Sequence, residues 1–327
     1  SSPTRRSSDL PAGGTADRPV PADAARRAGF AAAFGGDLLF DSTRSGTFGV
    51  WRMSADGLRA AAVADTPAHE MYPDPSPDGR WIAYARAATL SAKSPSEIRI
   101  CRSDGSGDRT LADNGTFPTF GPDPATVYFE RDRLRVMAVR LDGGGPREVF
   151  PGPNRGWRHH VVKPRVSPDG RRVSFISNRG SMLGWNAWTA DLASGEATRL
   201  GAGCQPGWFP DGRRVVHIVE KGMKASTGIV ARDLPAGPAA VLQDDGDPLG
   251  HEYFPTVTSD GRWLLWGACR PGQHDHLSLK SNYQLFARAL PDGAVVRLTF
   301  DGWNNRWPKR IPAPGTGTEP SREGSGP

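Results

Sequence analysis

Residues 72–86 read YPDPSPDGRWIAYAR: a Pro-rich approach, a Ser-Pro-Asp-Gly turn, then an apolar run. Asp78 can hydrogen-bond its own following backbone and Gly79 accepts the positive φ that other residues resist, so the stretch predicts strand, tight turn, strand. The same order returns as FPTFGPDPATVYFER from Phe117, KPRVSPDGRRVSFIS from Lys163, QPGWFPDGRRVVHIV from Gln205 and FPTVTSDGRWLLWGA from Phe254. The leading prolines stand at 73, 118, 164, 206 and 255, spacings of 45, 46, 42 and 49 residues. Such a period suits a four-stranded propeller blade. Pro308 follows 53 residues later, with no second strand behind it.

Within each unit the apolar strand after the turn leads to a third strand, as in Glu97-Ile98-Arg99-Ile100, Leu134-Arg135-Val136-Met137 and Gln284-Leu285-Phe286-Ala287. A short fourth strand such as Val296-Arg297-Leu298-Thr299 completes it. Ahead of the first full copy, residues 37–65 supply second, third and fourth strands without a first, and residues 306–311 supply a first strand without the rest. Joining them makes a sixth blade and removes exposed sheet edges. The expected fold is all-β, a six-bladed propeller of four-stranded antiparallel blades over residues 31–311. Its full blades start near 72, 117, 163, 205 and 254.

Composition agrees. The 327 residues include 40 Gly, 30 Pro and 10 Trp, suiting short strands, tight turns and aromatic anchors. The formal charge is +6, but Arg far outnumbers Lys and the basic residues are scattered, so no nucleic-acid partner is expected. Cys101, Cys204 and Cys269 lie far apart with no paired spacing, which predicts buried free thiols or, in an exported protein, one bridge and one free thiol. No apolar run reaches the roughly 18 residues of a membrane helix. Residues 1–30 are expected to be disordered or artefactual: PTRRSSDL matches one reading frame of a common sequencing adapter, and any signal peptide would then be missing. Residues 312–327, rich in Pro, Gly and Ser, read as a disordered tail.

The SPDG-type repeats, the second-strand ends Ser42 to Gly46 and Ser177 to Gly180, and the Arg-Leu-Thr ending together resemble the repeats of the TolB-like propeller family over roughly residues 37–311. That resemblance implies a periplasmic or extracellular protein. Repeats of this type occur in the translocation protein TolB, in propellers attached to prolyl-oligopeptidase-like hydrolases and in oligogalacturonate lyases, so fold alone selects no activity.

The chain carries no G-x-S-x-G elbow, P-loop, GxGxxG unit, HExxH helix or EF-hand loop, and no catalytic residue is assigned. Candidate binding residues are the polar and aromatic groups just ahead of the innermost strands, where a propeller presents them to one mouth of its channel. They are His69, Glu70, Tyr72, Trp157, Arg158, His160, His251, Glu252, Tyr253, Arg306 and Trp307. Glu70 and Glu252 are expected to face Arg158, His160 and Arg306 across the ring. Such a concave polar mouth suits a protein segment or small ligand on a monomeric scaffold. A second cluster, Gln273-His274-Asp275-His276, places two imidazoles on one face of an extended segment. With His251 as third ligand, His274 and His276 could hold a divalent metal, otherwise no cofactor is expected. Two further readings remain, a metal-assisted polysaccharide lyase or hydrolase, and a sensor or transport module of a larger protein.

Overall fold

In the computed structural model, six four-stranded antiparallel sheets follow one another along the chain. It describes residues 21–312 apart from 92–93, 95, 153–155, 182–183, 222–225, 236, 245–249, 271–274 and 276. Blade 1 holds Gly36–Ser42, Gly49–Ser54 and Ala60–Ala64, with Asn305–Pro312 added as its inner strand. From inside out, blade 2 is His69–Pro75, Trp81–Ala87, Ser96–Arg102 and Arg109–Asp113; blade 3 is Thr116–Phe120, Thr126–Arg131, Arg135–Arg140 and Arg147–Phe150. Blade 4 is Val162–Val166, Arg172–Ser177, Asn186–Asp191 and Ala197–Ala202. Blade 5 is Cys204–Trp208, Arg214–Lys221, Ser226–Asp233 and Ala239–Gln243, and blade 6 is His251–Val257, Trp263–Cys269, Gln284–Ala289 and Val295–Arg297.

Each inner strand touches the next around a closed circuit, and the last strand pairs with the first, Leu38 opposite Arg310 and Ser42 opposite Asn305. The split sixth blade read from the sequence is therefore present. The turn chemistry is also as expected. Ser76 Oγ donates to Asp78, Asp78 accepts the Arg80 N–H, and Gly79 sits at φ 68°; Gly170, Gly212 and Gly261 hold the same place at 64–72°. At Gly79 a Cβ would lie 2.7 Å from the Pro312 carbonyl of the closing strand, so the turn needs glycine for space as well as for φ.

Between blades the core is apolar and aromatic. Phe40, Leu265 and Leu285 pack where blades 1 and 6 meet, and Ile100, Phe120 and Val127 where blades 2 and 3 meet. Cys101, Cys204 and Cys269 are buried free thiols.

The N-terminal expectation needs correcting. Pro21–Phe34 forms a helix, α1, where the sequence reading places only disordered or artefactual residues up to 30. Its run of Ala and Arg favours a helix. Phe30 and Phe34 bury themselves against Trp263 of blade 6 at centroid distances of 4.9 and 6.1 Å, and this packing holds a helix too short to persist alone.

Candidate functional site

The chemistry of the channel follows from one repeated dipeptide. In every inner strand the residue before the leading proline has a left-handed backbone: Tyr72 (φ 59°), Phe117 (50°), Lys163 (56°), Gln205 (53°), Phe254 (62°) and Trp307 (55°). Each coincides with a shift of register against the second strand of its blade, a bulge that turns one side chain out of the sheet. Bulky residues resist this conformation, and neighbouring blades compensate. Asp41 accepts the Tyr72 N–H at 3.0 Å, Glu130 accepts that of Lys163 at 3.0 Å, and Gln205 Oε1 accepts that of Phe254 at 2.6 Å.

The turned-out side chains meet in the channel. Tyr72 stacks on Phe117 at 3.9 Å, and Trp307 lies 5.6 Å from Tyr72, 5.7 Å from Phe117 and 4.8 Å from Phe254. The Lys163 ammonium sits over the Phe117 and Trp307 rings at 5.7 and 5.5 Å. Together they fill the channel at this level and divide it into two ends. Burial lowers the Lys163 pKa and pushes the Glu130 carboxyl up to about 7, because neither charge is easily hydrated here.

Beyond the prolines a second tier reads Asp74, Thr119, Arg165, Gly207, Thr256 and Lys309. Asp74 organises one side of it: one carboxylate oxygen pairs with Arg165 at 2.8 Å and Lys309 at 3.2 Å, and the other accepts from Thr119 and the Phe120 N–H. On the other side Gly207 has no side chain and Thr256 a small one, so the tier stays open. The result is a recess of about 150 Å³ with Lys163, Arg165, Gln205, Trp208, Trp307 and Lys309 in its wall. Burial, with Arg165 close by, lowers the Lys309 pKa to about 8.

The residues singled out from the sequence distribute differently. Tyr72 and Trp307 meet in the aromatic tier. Arg306, fully buried, pairs with Asp41 at 2.8 and 3.0 Å and lies 3.6 Å over the Phe48 ring. Glu70 turns to its own blade rather than across the ring, accepting from Thr66 and from Arg86 at 2.9 Å. His69 Nδ1 accepts the Phe48 N–H, and burial lowers its pKa. Trp157 packs edge-on to Phe150, Phe175 and Trp188 and donates its indole N–H to the His159 carbonyl. Arg158 is exposed, while the His160 backbone N–H bonds to Asn178 and its ring lies 5.9 Å from Trp185. His251 stacks on Tyr253 at 4.8 Å, and buried Glu252 accepts from Thr227.

Of the three proposed metal ligands, His274 and His276 lie outside the described residues. Among the described residues, no group of three His, Cys, Asp or Glu side chains is placed to hold a metal ion. The cationic tier went unnoticed in the sequence although its signal was present: the residue after each leading proline.

No family model matches the chain. A TolB homologue of Chlorobium luteolum is 28% identical over 153 residues, which are 45% of this chain and 32% of that protein. The match thus spans about a third of that relative. The crystal structure of TolB from Acinetobacter baumannii superposes with a TM-score of 0.67 at 17% identity, over 90% of this chain and 74% of the other. A putative TolB from Agrobacterium tumefaciens gives 0.61 at 16% identity, over 85% and 99%. Among the described residues no helix is long and apolar enough to cross a membrane.

Proposed function

We propose that this chain, a TolB-like six-bladed β-propeller, is a non-catalytic scaffold that binds a segment of a partner protein at the recess end of its channel. The observation that carries this reading is the two-tier channel. Large side chains fill its centre, and the recess beside them draws its wall from blades 4, 5, 6 and 1 on a ring with no free end. A concave site whose walls are fixed by the frame binds without first paying to order itself. The likeness to TolB proteins supports a protein as the partner and a periplasmic or extracellular setting.

The test is a selection of displayed peptides against the purified chain, followed by affinity measurement on variants. Thr256→Trp fills the recess and should weaken selected peptides about tenfold or more, whereas Leu58→Asp, on an exposed turn remote from the channel, should leave them unchanged. Peptides that bind Thr256→Trp as well as the parent chain would overturn the proposal, as would a selection that yields none.

A further inference from the structure

We infer that the recess is a recognition site for a carboxylate borne on a compact organic group, either a small acid or an acidic side chain or terminus of a peptide. It rests on the scaffold reading only for where the carboxylate comes from.

Residues of the wall carry positive charge, and two of them hold side-chain donors that have no hydrogen-bond partner among the described residues. Gln205 Oε1 accepts the Phe254 N–H at 2.6 Å, which fixes the orientation of the amide and leaves Nε2 as a donor on the other side. Nε2 has no hydrogen-bond partner among the described residues, although Gln205 is only 3% exposed. Trp307, 4% exposed with its ring in the same wall, has an indole N–H equally without a partner among them. An indole nitrogen can only donate, and buried donors are ordinarily satisfied.

Two carbonyls of the wall are already engaged, that of Arg165 by the Trp208 indole at 2.8 Å and that of Pro206 by Ser174. Charge points the same way. Arg165 and Lys309 share the single carboxylate of Asp74, and Lys163 stands beside them. A water molecule would satisfy the N–H groups but bring no negative charge to the cations. A carboxylate, with about four acceptor sites on two oxygens, satisfies both.

The rest of the ligand is organic. Val166, Pro206, Pro255 and Val257 supply apolar wall, and about 150 Å³ is the volume of a cavity that holds benzene, room for about six heavy atoms. Inorganic phosphate would leave that wall uncovered.

The experiment uses the full chain labelled with ¹⁵N. The Trp307 indole N–H resonance is assigned by its loss in Trp307→Phe. It is then followed while adding acetyl-glutamate amide, which presents a side-chain carboxylate, or acetyl-trialanine, which presents a terminal one. Acetyl-glutamine amide and inorganic phosphate serve as controls.

A saturable shift is expected with at least one carboxylate and with neither control, and whichever carboxylate is preferred identifies the source. Gln205→Glu keeps an acceptor for the Phe254 N–H and replaces the free donor by negative charge, so affinity should fall about tenfold or more. Trp307→Phe, which keeps an aromatic ring but loses the indole N–H together with the pyrrole part of the ring system, should weaken binding in a tryptophan-independent calorimetric titration even if Gln205→Glu misfolds. No saturable shift with either carboxylate, an equal response to acetyl-glutamine amide or phosphate, or undiminished affinity in both variants would overturn the assignment.

The two proposals fail separately. Carboxylate binding that display-selected peptides do not compete for leaves this site standing and removes the scaffold reading. Peptide binding blocked by Thr256→Trp but indifferent to Gln205→Glu does the reverse.

Discussion

Replacing Asp41 by Asn tests whether Arg306, a binding candidate from the sequence, is instead a structural cation at the closure of the ring. Both members of the pair are fully buried, and Arg306 uses Nε and one terminal nitrogen on the two carboxylate oxygens. Asn keeps the size of the side chain and, with its oxygen in place of Asp41 Oδ2, an acceptor for the Tyr72 N–H, but its amide nitrogen then faces Arg306 Nε, so the substitution removes the negative charge and one of the two hydrogen bonds to Arg306. Removing the charge of one partner from a buried ion pair costs about 3–5 kcal/mol. At about 2 °C per kcal/mol for a domain of this size, the melting temperature should fall by about 6–10 °C.

Arg306→Met should be similarly costly, since it strands the carboxylate. The double variant should be more stable than the sum of the two losses by about 2 kcal/mol, because neither charge is then left alone. Urea unfolding of the four proteins provides the cycle. A loss below about 1 kcal/mol for Asp41→Asn, or a strictly additive double variant, would refute the reasoning. An Arg306→Met protein of normal stability that no longer binds its ligand would return Arg306 to the site.

Carboxylate affinity in the recess should fall as pH rises through about 8, where Lys309 loses its proton beside Arg165 and Asp74; Lys309→Arg should flatten that profile in a calorimetric titration. Glu130, whose folded pKa is raised from 4.5 to about 7, binds its proton more tightly in the folded chain. Its contribution is therefore full below about pH 4.5 and lost as pH rises through 7, a change of order 3 kcal/mol that Glu130→Gln should abolish in denaturation measured across pH 4 to 8. Phe34→Ala, at a fully buried position against Trp263, should cost about 3 kcal/mol and free α1 to limited proteolysis; a chain of unchanged stability would detach the helix from the fold.

The fold was legible because it is written in local chemistry repeated at one period. Asp in all five full copies, joined by Gly in four of them, determines the turn by local backbone chemistry, and alternation determines which face of each strand is buried, so five copies and one split copy suffice to count blades. Helix α1 was missed because its stability lies in two phenylalanines meeting Trp263, more than 200 residues away in sequence.

The channel divides in the same way. That Tyr72, Phe117, Lys163, Gln205, Phe254 and Trp307 occupy equivalent positions is plain from the prolines that follow them. That they adopt a left-handed backbone, turn inward and touch is decided by ring closure, which brings a carboxylate or amide of a neighbouring blade to the N–H of Tyr72, Lys163 and Phe254. Titratable residues ahead of the prolines attracted attention by type, yet Glu70 and Arg306 found partners in Arg86 and Asp41 that no local pattern announces. The recess follows from a glycine and a threonine facing Arg165 and Lys309 around the ring, and only the tertiary structure sets residues so distant in sequence around one small volume.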